Sequence, residues 1–569
     1  MARLKSRRSA LKILSCKFGG MGKHTPLSPE GAADMCNFRI LPGGILKTRM
    51  GYQLKKDFLS GQKVRGVWKG SLEGVALLFA VAGDKIYRLE GDAMAQTVVG
   101  SVASGENPVH FCVYLDALYL LDGTGIYQYS TSQNQFKAVE AYAPLYGYQW
   151  NPTIFGEVNE KINLLSPRLR VHYYNAAAES IFLLPYYAES VDMVRVDGVK
   201  TSSYNFTPGS NRIILHVAAI HVEVGFTVSL NDELRSEMLA AQLSYIYSQN
   251  GESKLFLGDS QGRLFCSSEV SQPMLASCRV IYPEANPLYF CAEDILFLGD
   301  SAHSVTTMCP FYDTVLAFTS DRIWNLTLEK GILEARLATR ELGCASPLGA
   351  IPYENGVIAV LGTDVYRISA SVARTEQLCF ERLSVGMEGK LTPEFANKVQ
   401  LFWNAADGEI WMRDSENEGG EVWVWNAVDN EWYRFDNIPA SFFFKIDAGI
   451  GFAHDNGIFL FDRSCSTDCN APIAAFYRSA YLDFGTPDVP RRSARAYLYS
   501  STYSGNGTLL LETERIGKLF DTTPSRLSVE THLQQMRMSL HRHRFLRFTL
   551  SVNASTPAEF YRLDLYSLP

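Results

Sequence analysis

Three short stretches of this sequence hold residue types that do chemistry. Gly258, Asp259, Ser260, Gln261 and Gly262 fit G-x-S-x-G, the spacing that holds a serine nucleophile on a sharp turn, and Gly299, Asp300 and Ser301 echo it. Such an elbow must run from a strand into a helix so that the hydroxyl stands over an oxyanion hole. Here Arg263, Leu264, Phe265 and Cys266 continue as an apolar, strand-like run. The phrase Phe-Leu-Gly-Asp-Ser also occurs twice, from Phe256 and from Phe297, as turn chemistry repeated in similar units would give. Cys465 and Cys469, with His454 nearby, offer two thiols and one imidazole, short of the four ligands of a structural zinc site. Asp84, Asp122, Asp321, Asp364 and Asp455 sit between short apolar runs, where Asp caps its own backbone. The expectation is a protein that is not an enzyme, with no catalytic residue, metal site or cofactor.

Basic residues concentrate at two places. Arg3, Lys5, Arg7, Arg8, Lys12, Lys17 and Lys23 fall in the first 29 residues, which contain no acidic residue. Lys12 interrupts the only short apolar run there, from Ala10 to Leu14, so the stretch does not read as a targeting signal. A polar, basic segment that cannot form its own core orders on a partner, and these seven residues form a candidate docking arm. The second cluster is His541, Arg542, His543 and Arg544 with Arg537 and Arg547, read as alternating basic residues on a solvated strand face without a stacking platform. A formal net charge of -7 spread over 569 residues argues against a dedicated nucleic-acid binder, which needs a concentrated basic surface. No apolar stretch is long enough to span a bilayer, so no membrane anchor is expected. The eleven cysteines stand mostly in apolar strand patterns, as in a chain folded in a reducing cytoplasm.

The elements that carry these residues are strands. Phe and Tyr number 32 and 29, most of them in short alternating runs bounded by Gly, Asn and Asp. One pattern recurs seven times: an apolar strand, a tight turn, then an apolar residue followed by an aromatic. The closing pairs are Ile86-Tyr87, Ile126-Tyr127, Leu264-Phe265, Ile323-Trp324, Val365-Tyr366, Ile410-Trp411 and Ile458-Phe459. Successive aromatics lie 40 residues apart from Tyr87 to Tyr127, 42 from Trp324 to Tyr366, 45 to Trp411 and 48 to Phe459, the length of a four-stranded propeller blade. A lone antiparallel sheet has bare faces and edges, so such units bury themselves around a common axis.

The fold class expected is all-β: a six- or seven-bladed β-propeller with an inserted small β domain and a C-terminal β-sandwich. Residues 1–50 form the basic arm and a closing strand, with the run from Ile45 to Tyr52 as the closing candidate. Residues 51–141 form the first blades, 142–235 the inserted domain, 236–470 the remaining blades and 471–569 the sandwich. In the insertion, a strand from Val194 is expected to run into a turn at Asp197 and Gly198, with further strands at 212–217 and 224–230; short helices are expected around 231–243 and, in the C-terminal part, around 529–540.

Phe18-Gly-Gly-Met-Gly, then Ala32 to Phe38 with Asn37, then Leu41 to Tyr52 with Arg49 and Gly51, resemble the opening of tailed-bacteriophage virion proteins. The stretches from Ala302 to Trp324, from Val422 to Tyr433 and from Tyr481 to Thr486 match in kind. Together they resemble the propeller-containing tail hub or nozzle proteins, including those called packaged-DNA stabilisation proteins. The resemblance implies a ring of identical subunits, commonly six, below the portal and adaptor, surrounding a channel that retains genomic DNA and later conducts it. Such a protein assembles in the host cytoplasm and resides in the virion tail; a mildly acidic conduit repels passing phosphates. On this expectation the basic arm threads onto a neighbour, and a chain lacking residues 1 to 23 folds but assembles poorly. Two alternatives stand beside it: a carbohydrate-binding or glycan-cleaving propeller for host adsorption, using Trp423 and Trp425, and a head-completion or neck protein.

Overall fold

The computed structural model describes all residues except 1–11, 22–30, 60, 149–157, 242, 250–251, 330, 372–376, 388, 415, 417–418, 448, 484–489, 491, 516–517, 522–523, 538–541 and 569. The chain is all-β, built largely of four-stranded antiparallel sheets. Each of the seven recurring phrases is a hairpin: Ala80 faces Tyr87, Leu120 faces Tyr127, Leu257 faces Phe265, Ala317 faces Trp324, Ala359 faces Tyr366, Phe402 faces Trp411 and Phe452 faces Phe459. The apolar residue before each closing aromatic is the constant feature. Ile86, Ile126, Leu264, Ile323, Val365, Ile410 and Ile458 are all at most 6% exposed. Tyr127, Trp324, Tyr366 and Phe459 are only half-buried, so alternation selects the inward residue and the larger ring covers the outer edge of the core.

Six four-stranded sheets follow one another at residues 64–101, 110–138, 243–297, 305–340, 350–382 and 399–435; a seventh set of four strands, at 442–462 and completed by Gly51–Asp57, continues through Thr467–Asp468 into strands from the first and last parts of the chain, eleven in all. In the sixth, the recurring hairpin joins the first and second strands, Val399–Asn404 and Glu409–Asp414, whereas in the other six it joins the second and third. That shift places Trp411 one strand early in its sheet, which lengthens the interval that follows it, to Phe459. The strand that completes the seventh sheet is Gly51–Asp57, antiparallel to Gly457–Asp462. The expected closing run, Ile45 to Tyr52, supplies only its last two residues, Gly51 and Tyr52, to this strand; Ile45–Thr48 pairs elsewhere. Trp423 and Trp425 are buried, at 7% and 4% exposure, in the third strand of the sixth sheet.

The chain divides into two compact units, residues 70–89 with 96–343, and residues 1–69 with 90–95 and 344–569. In the former, a six-stranded sheet spans residues 145–227. Its backbone is two long strands, Arg168–Ala188 and Ser210–Thr227, antiparallel with three irregularities that bend the pair. The separate strands expected at 212–217 and 224–230 are therefore one. The turn expected at Asp197 and Gly198 is present, both residues at positive φ. The fully buried Arg170 ties this sheet to the helix Gln272–Ile281, which the sequence reading lacked: Nε donates to Ala143 O at 2.8 Å and Nη1 to Ser277 Oγ at 3.0 Å. The helix expected near 231–243 is Asp232–Leu239, capped by Asn231.

In the other unit, the first and last parts of the chain form one further sheet and the continuation of the seventh. Glu559–Leu568 is flanked on one edge by Lys12–Cys16 and Ile45–Thr48, and on the other by Arg492–Ser500. Ala32–Cys36 pairs with Ala471–Ser479, which pairs with Phe545–Ala554. The described strands of residues 12–48 and 471–568 thus share sheets and are not separate bodies. The helix expected over 529–540 is replaced by the strand Leu533–Arg537, whose Gln534 and Met536 alternate inward.

Asp122 shows how the repeat turns are held. Its carboxylate accepts from Thr124 N, Thr124 Oγ1 and Gly125 N at 2.9, 2.9 and 2.7 Å, and from Ser104 N at 3.1 Å. Burial opposes its ionisation, yet these donors hold the carboxyl below the usual range. A depressed folded-state pKa adds stability above the unfolded value that is lost as pH falls through the folded one. Asp122→Asn is expected to lower the unfolding free energy at pH 7 by about 1–3 kcal/mol, with the gap from the parent shrinking below about pH 4. Urea titrations at both pH values test this, and a gap independent of pH would count against it.

Candidate functional site

The densest polar constellation lies where the chain ends meet the seventh sheet. Arg49 is 1% exposed and directly follows the hairpin of Phe38–Leu41 and Ile45–Thr48, so its guanidinium requires acceptors inside the protein. Nη1 donates to Asp468 Oδ1 at 2.9 Å and Nη2 to Oδ2 at 2.5 Å, the two-pronged geometry that matches guanidinium to carboxylate. The remaining donors reach Asn37 Oδ1, Met50 O and Asp436 O at 2.8, 3.0 and 3.0 Å. Asn37, held at φ 59, donates from Nδ2 to the Asp436 carboxylate and to Ala474 O. Asn437 Nδ2 donates to Asp468 Oδ2 at 2.9 Å, and Tyr52 Oη donates to Asn437 O at 2.8 Å. One cation thereby ties together the N-terminal hairpin, the exits of the sixth and seventh sheets, and the strand opening the C-terminal part.

A second buried pair reinforces the first. Arg39 donates to Glu409 Oε1 at 2.7 Å and contacts Asp407 at 3.0 Å; Glu409 also receives Trp411 Nε1 at 2.8 Å and Tyr433 Oη at 2.5 Å. Burial disfavours the Asp407 anion, but Arg39, Asn404 and Arg463 hold its carboxyl below the usual range. Burial, then the Glu409 charge, pushes the Tyr433 phenol well up.

The candidate arm divides at Lys12. Arg3, Lys5, Arg7, Arg8 and Lys23 lie outside the described residues. Lys12 heads the strand Lys12–Cys16, paired with Leu563 to Ser567, and the exposed Lys17 follows it. Phe18 then inserts its ring 5.2 Å from Tyr477, edge-on, and Met21 N donates to Trp432 O at 2.7 Å. At Gly20 a Cβ would lie 2.6 Å from Trp432 O, so this contact admits no side chain. From Lys12 to Met21 the segment is therefore part of its own chain's fold rather than an arm for a neighbour. Removing residues 1 to 23 would strip an edge strand and an aromatic anchor from the core, so the expectation that this truncation leaves the fold intact is corrected.

The other candidates are placed as follows. Ser260 is exposed in a hairpin whose turn is organised by Asp259, which accepts from Gln261 N and Arg263 N, both at 2.9 Å. At Gly262, with φ 74, a Cβ would meet Asp300 O at 2.7 Å, a close approach that requires glycine. Ser301 lies beside Asp300, which holds His303 Nδ1 at 2.6 Å and Arg322 at 3.2 Å. Cys465 and Cys469 are unpaired thiols flanking Asp468, and His454 contacts Asp455. Among the described residues no group of three or more His, Cys, Asp or Glu is placed to hold a metal ion. In the second basic cluster His541 lies outside the described residues, His543 is buried, Arg542 and Arg544 are exposed, and Arg547 makes two bonds to Glu512 at 2.7 and 2.6 Å. Asp468, the partner of Arg49, was missed; the available signal was an arginine in an apolar strand context, which demands a carboxylate somewhere in the chain.

Arg49→Met is expected to cost about 3–5 kcal/mol of unfolding free energy, because Asp468 is left buried and unpaired. Arg49→Lys should recover little, since an ammonium cannot reproduce the fork. In a urea-unfolding cycle, Arg49→Met with Asp468→Leu should lie closer to the parent than either single change; simple additivity would contradict the coupling.

No protein-family model matches the sequence, and no curated protein matches it. Solved structures similar to the chain include the extracellular domain of a one component system from B. thetaiotaomicron, with TM-score 0.36 and 8% identity over 90% of this chain and 61% of that one. Others are YCF48 bound to D1 peptide, with TM-score 0.34 and 8% identity over 77% and 100%, and the Pan2 WD40 domain of Neurospora crassa, with TM-score 0.35 and 7% identity over 74% and 97%. The chain thus spans about three fifths of the first of these. At this level of likeness nothing of their binding or activity passes to this chain.

Proposed function

We propose that the chain is a structural virion protein of a tailed phage, a subunit of a tail hub or nozzle ring that retains packaged DNA and conducts it on ejection. In this reading the seven sheets are blades of one closed propeller, supported by their consecutive order and by the strand Gly51–Asp57 joining the seventh sheet before the chain enters the first. The two sheets built from the chain ends form a sandwich that presents contacts to neighbouring subunits, portal and adaptor. The observation that carries the reading is where the resemblance to tail proteins falls. Asn37, Arg49, Gly51 and Tyr52, on which it rests, are the residues that join the ends to the seventh sheet. A particle that must hold pressurised DNA requires subunits whose ends do not fray, and a buried, fork-bonded arginine meets that need.

Native mass spectrometry and electron microscopy of the purified protein test the reading. A closed ring, six copies expected, agrees with it; monomers that bind glycans would favour an adsorption protein instead. A chain lacking residues 1–11 should keep the parent's thermal stability and lose assembly. Unchanged rings from that truncation would remove the docking role of Arg3, Lys5, Arg7 and Arg8.

A further inference from the structure

The charge of this chain is not evenly spread. Residues 1–50 and 471–569 carry 22 Lys and Arg against 10 Asp and Glu, a formal +12, while residues 51–470 carry 31 against 50, a formal -19. The basic excess therefore belongs to the two terminal stretches of the sequence, and the register of the six-stranded sheet that their described strands build shows where part of it points.

Along that sheet Met536, Ala496, Leu565 and Leu14 form one row, and Gln534, Leu498, Leu563 and Cys16 another. Apart from the half-buried Leu14 these are at most 8% exposed. The alternate residues lie on the opposite face, where Arg495, Arg537 and Arg562 are exposed, Tyr497, Tyr499 and Tyr566 are half-buried and Asp564 is buried beneath them. Arg537 stands directly across from Arg495, which stands across from Tyr566; the next row sets Tyr497 against Asp564, and the next sets Tyr499 against Arg562. Both Arg495 and Arg537 are exposed, and among the described residues neither has an ion-pair partner. The one carboxylate in these rows, Asp564, is taken by Arg562 at 3.1 Å and Ser15 Oγ at 2.6 Å. Like charges directly opposite on neighbouring strands repel, an arrangement that an external anion relieves. The tyrosines fill the spaces between: the rings of Tyr497 and Tyr566 are 5.0 Å apart, and the Arg562 guanidinium lies 4.5 Å over Tyr499.

We propose that this outward face, Arg495, Arg537 and Arg562 interleaved with Tyr497, Tyr499 and Tyr566, binds nucleic acid without sequence preference. Guanidinium pairs grip phosphates, and half-buried aromatic rings on a sheet give unpaired bases a surface to stack on. An acidic surface on a second copy would satisfy the arginines but not the tyrosine faces, so nucleic acid is the better fit. The inference rests on the tail-ring reading and adds to it the part of the subunit that touches DNA. It also revises the expectation, drawn from net charge, that no concentrated basic surface exists, and that of a basic strand face without a stacking platform.

Fluorescence anisotropy with a labelled thirty-nucleotide oligo-dT and a thirty-base-pair duplex, at 50 and 200 mM salt, tests it on the full chain. Arg495→Glu with Arg537→Glu is expected to weaken both at least tenfold and to flatten the salt dependence by about two phosphate contacts. Arg495→Lys with Arg537→Lys should keep most of the affinity, separating charge from misfolding. Tyr497→Ala with Tyr566→Ala should weaken the single strand about tenfold or more and the duplex little. Undetectable binding by the parent at 50 mM salt, or charge reversal without effect, overturns the proposal. So does a charge reversal that spares DNA binding and changes the mass of the native assembly, which would assign the face to a second copy. The parent's native mass separates the two readings: a ring that ignores DNA sinks this inference alone, and a monomer that binds DNA sinks the ring alone.

Discussion

A single buried guanidinium organises the half of this protein that contains both chain ends. Arg49 donates five hydrogen bonds at once, and apart from the neighbouring Met50 O its acceptors lie 12 to 419 residues away along the chain. Burying such a charge is expensive, and the cost is offset only if every partner is in place. The interaction therefore behaves as a test of assembly: the N-terminal hairpin, the seventh sheet and the opening strand of the C-terminal part must all be correctly registered before it is favourable. The Arg39 cluster applies the same logic one strand earlier, with Glu409 receiving donors from Trp411 and Tyr433.

Much of the repeat architecture was legible before any coordinates, because a hairpin is a local object. Period-two alternation, a turn residue tolerant of positive φ and a closing aromatic lie within a dozen residues of each other, and all seven phrases became hairpins. The sixth sits one strand earlier in its sheet than the others; the helix Pro393–Lys398 precedes it and the following strands are equally apolar, so nothing nearby marks which hairpin is the second. Long-range pairing left weaker traces. That Lys12–Cys16 would lie against Leu563 to Ser567 depends on an edge more than 540 residues away, and the density of basic residues around it suggested solvent or a partner instead. Leu533–Arg537 was read as helix because its polar residues mask a strict alternation that only the buried Gln534 and Met536 reveal.

The candidate chemistry was legible chiefly as turn chemistry. Asp259 and Asp300 sit where a nucleophile motif would place the residue before its serine, yet both accept bonds from the backbone just beyond them. What composition alone concealed was polarity on the scale of the whole chain. A net charge of -7 averages a strongly acidic middle against basic ends, and only the strand register shows that two arginines face each other on one surface.

The joining of first and last strands also constrains how the protein can be made. At translation rates of roughly 5–20 residues per second, the interval between Arg49 and the residues of Glu559–Leu568 lasts from about half a minute to nearly two minutes. Throughout that time the leading hairpin has an unfilled edge, and until Asp468 is made it also holds a charge without its carboxylate, while the sheets in between are free to close. The nascent chain must therefore carry an unfinished, adhesive leader until release from the ribosome, which makes a premature stop near the end of the message far more damaging than the few lost residues would imply.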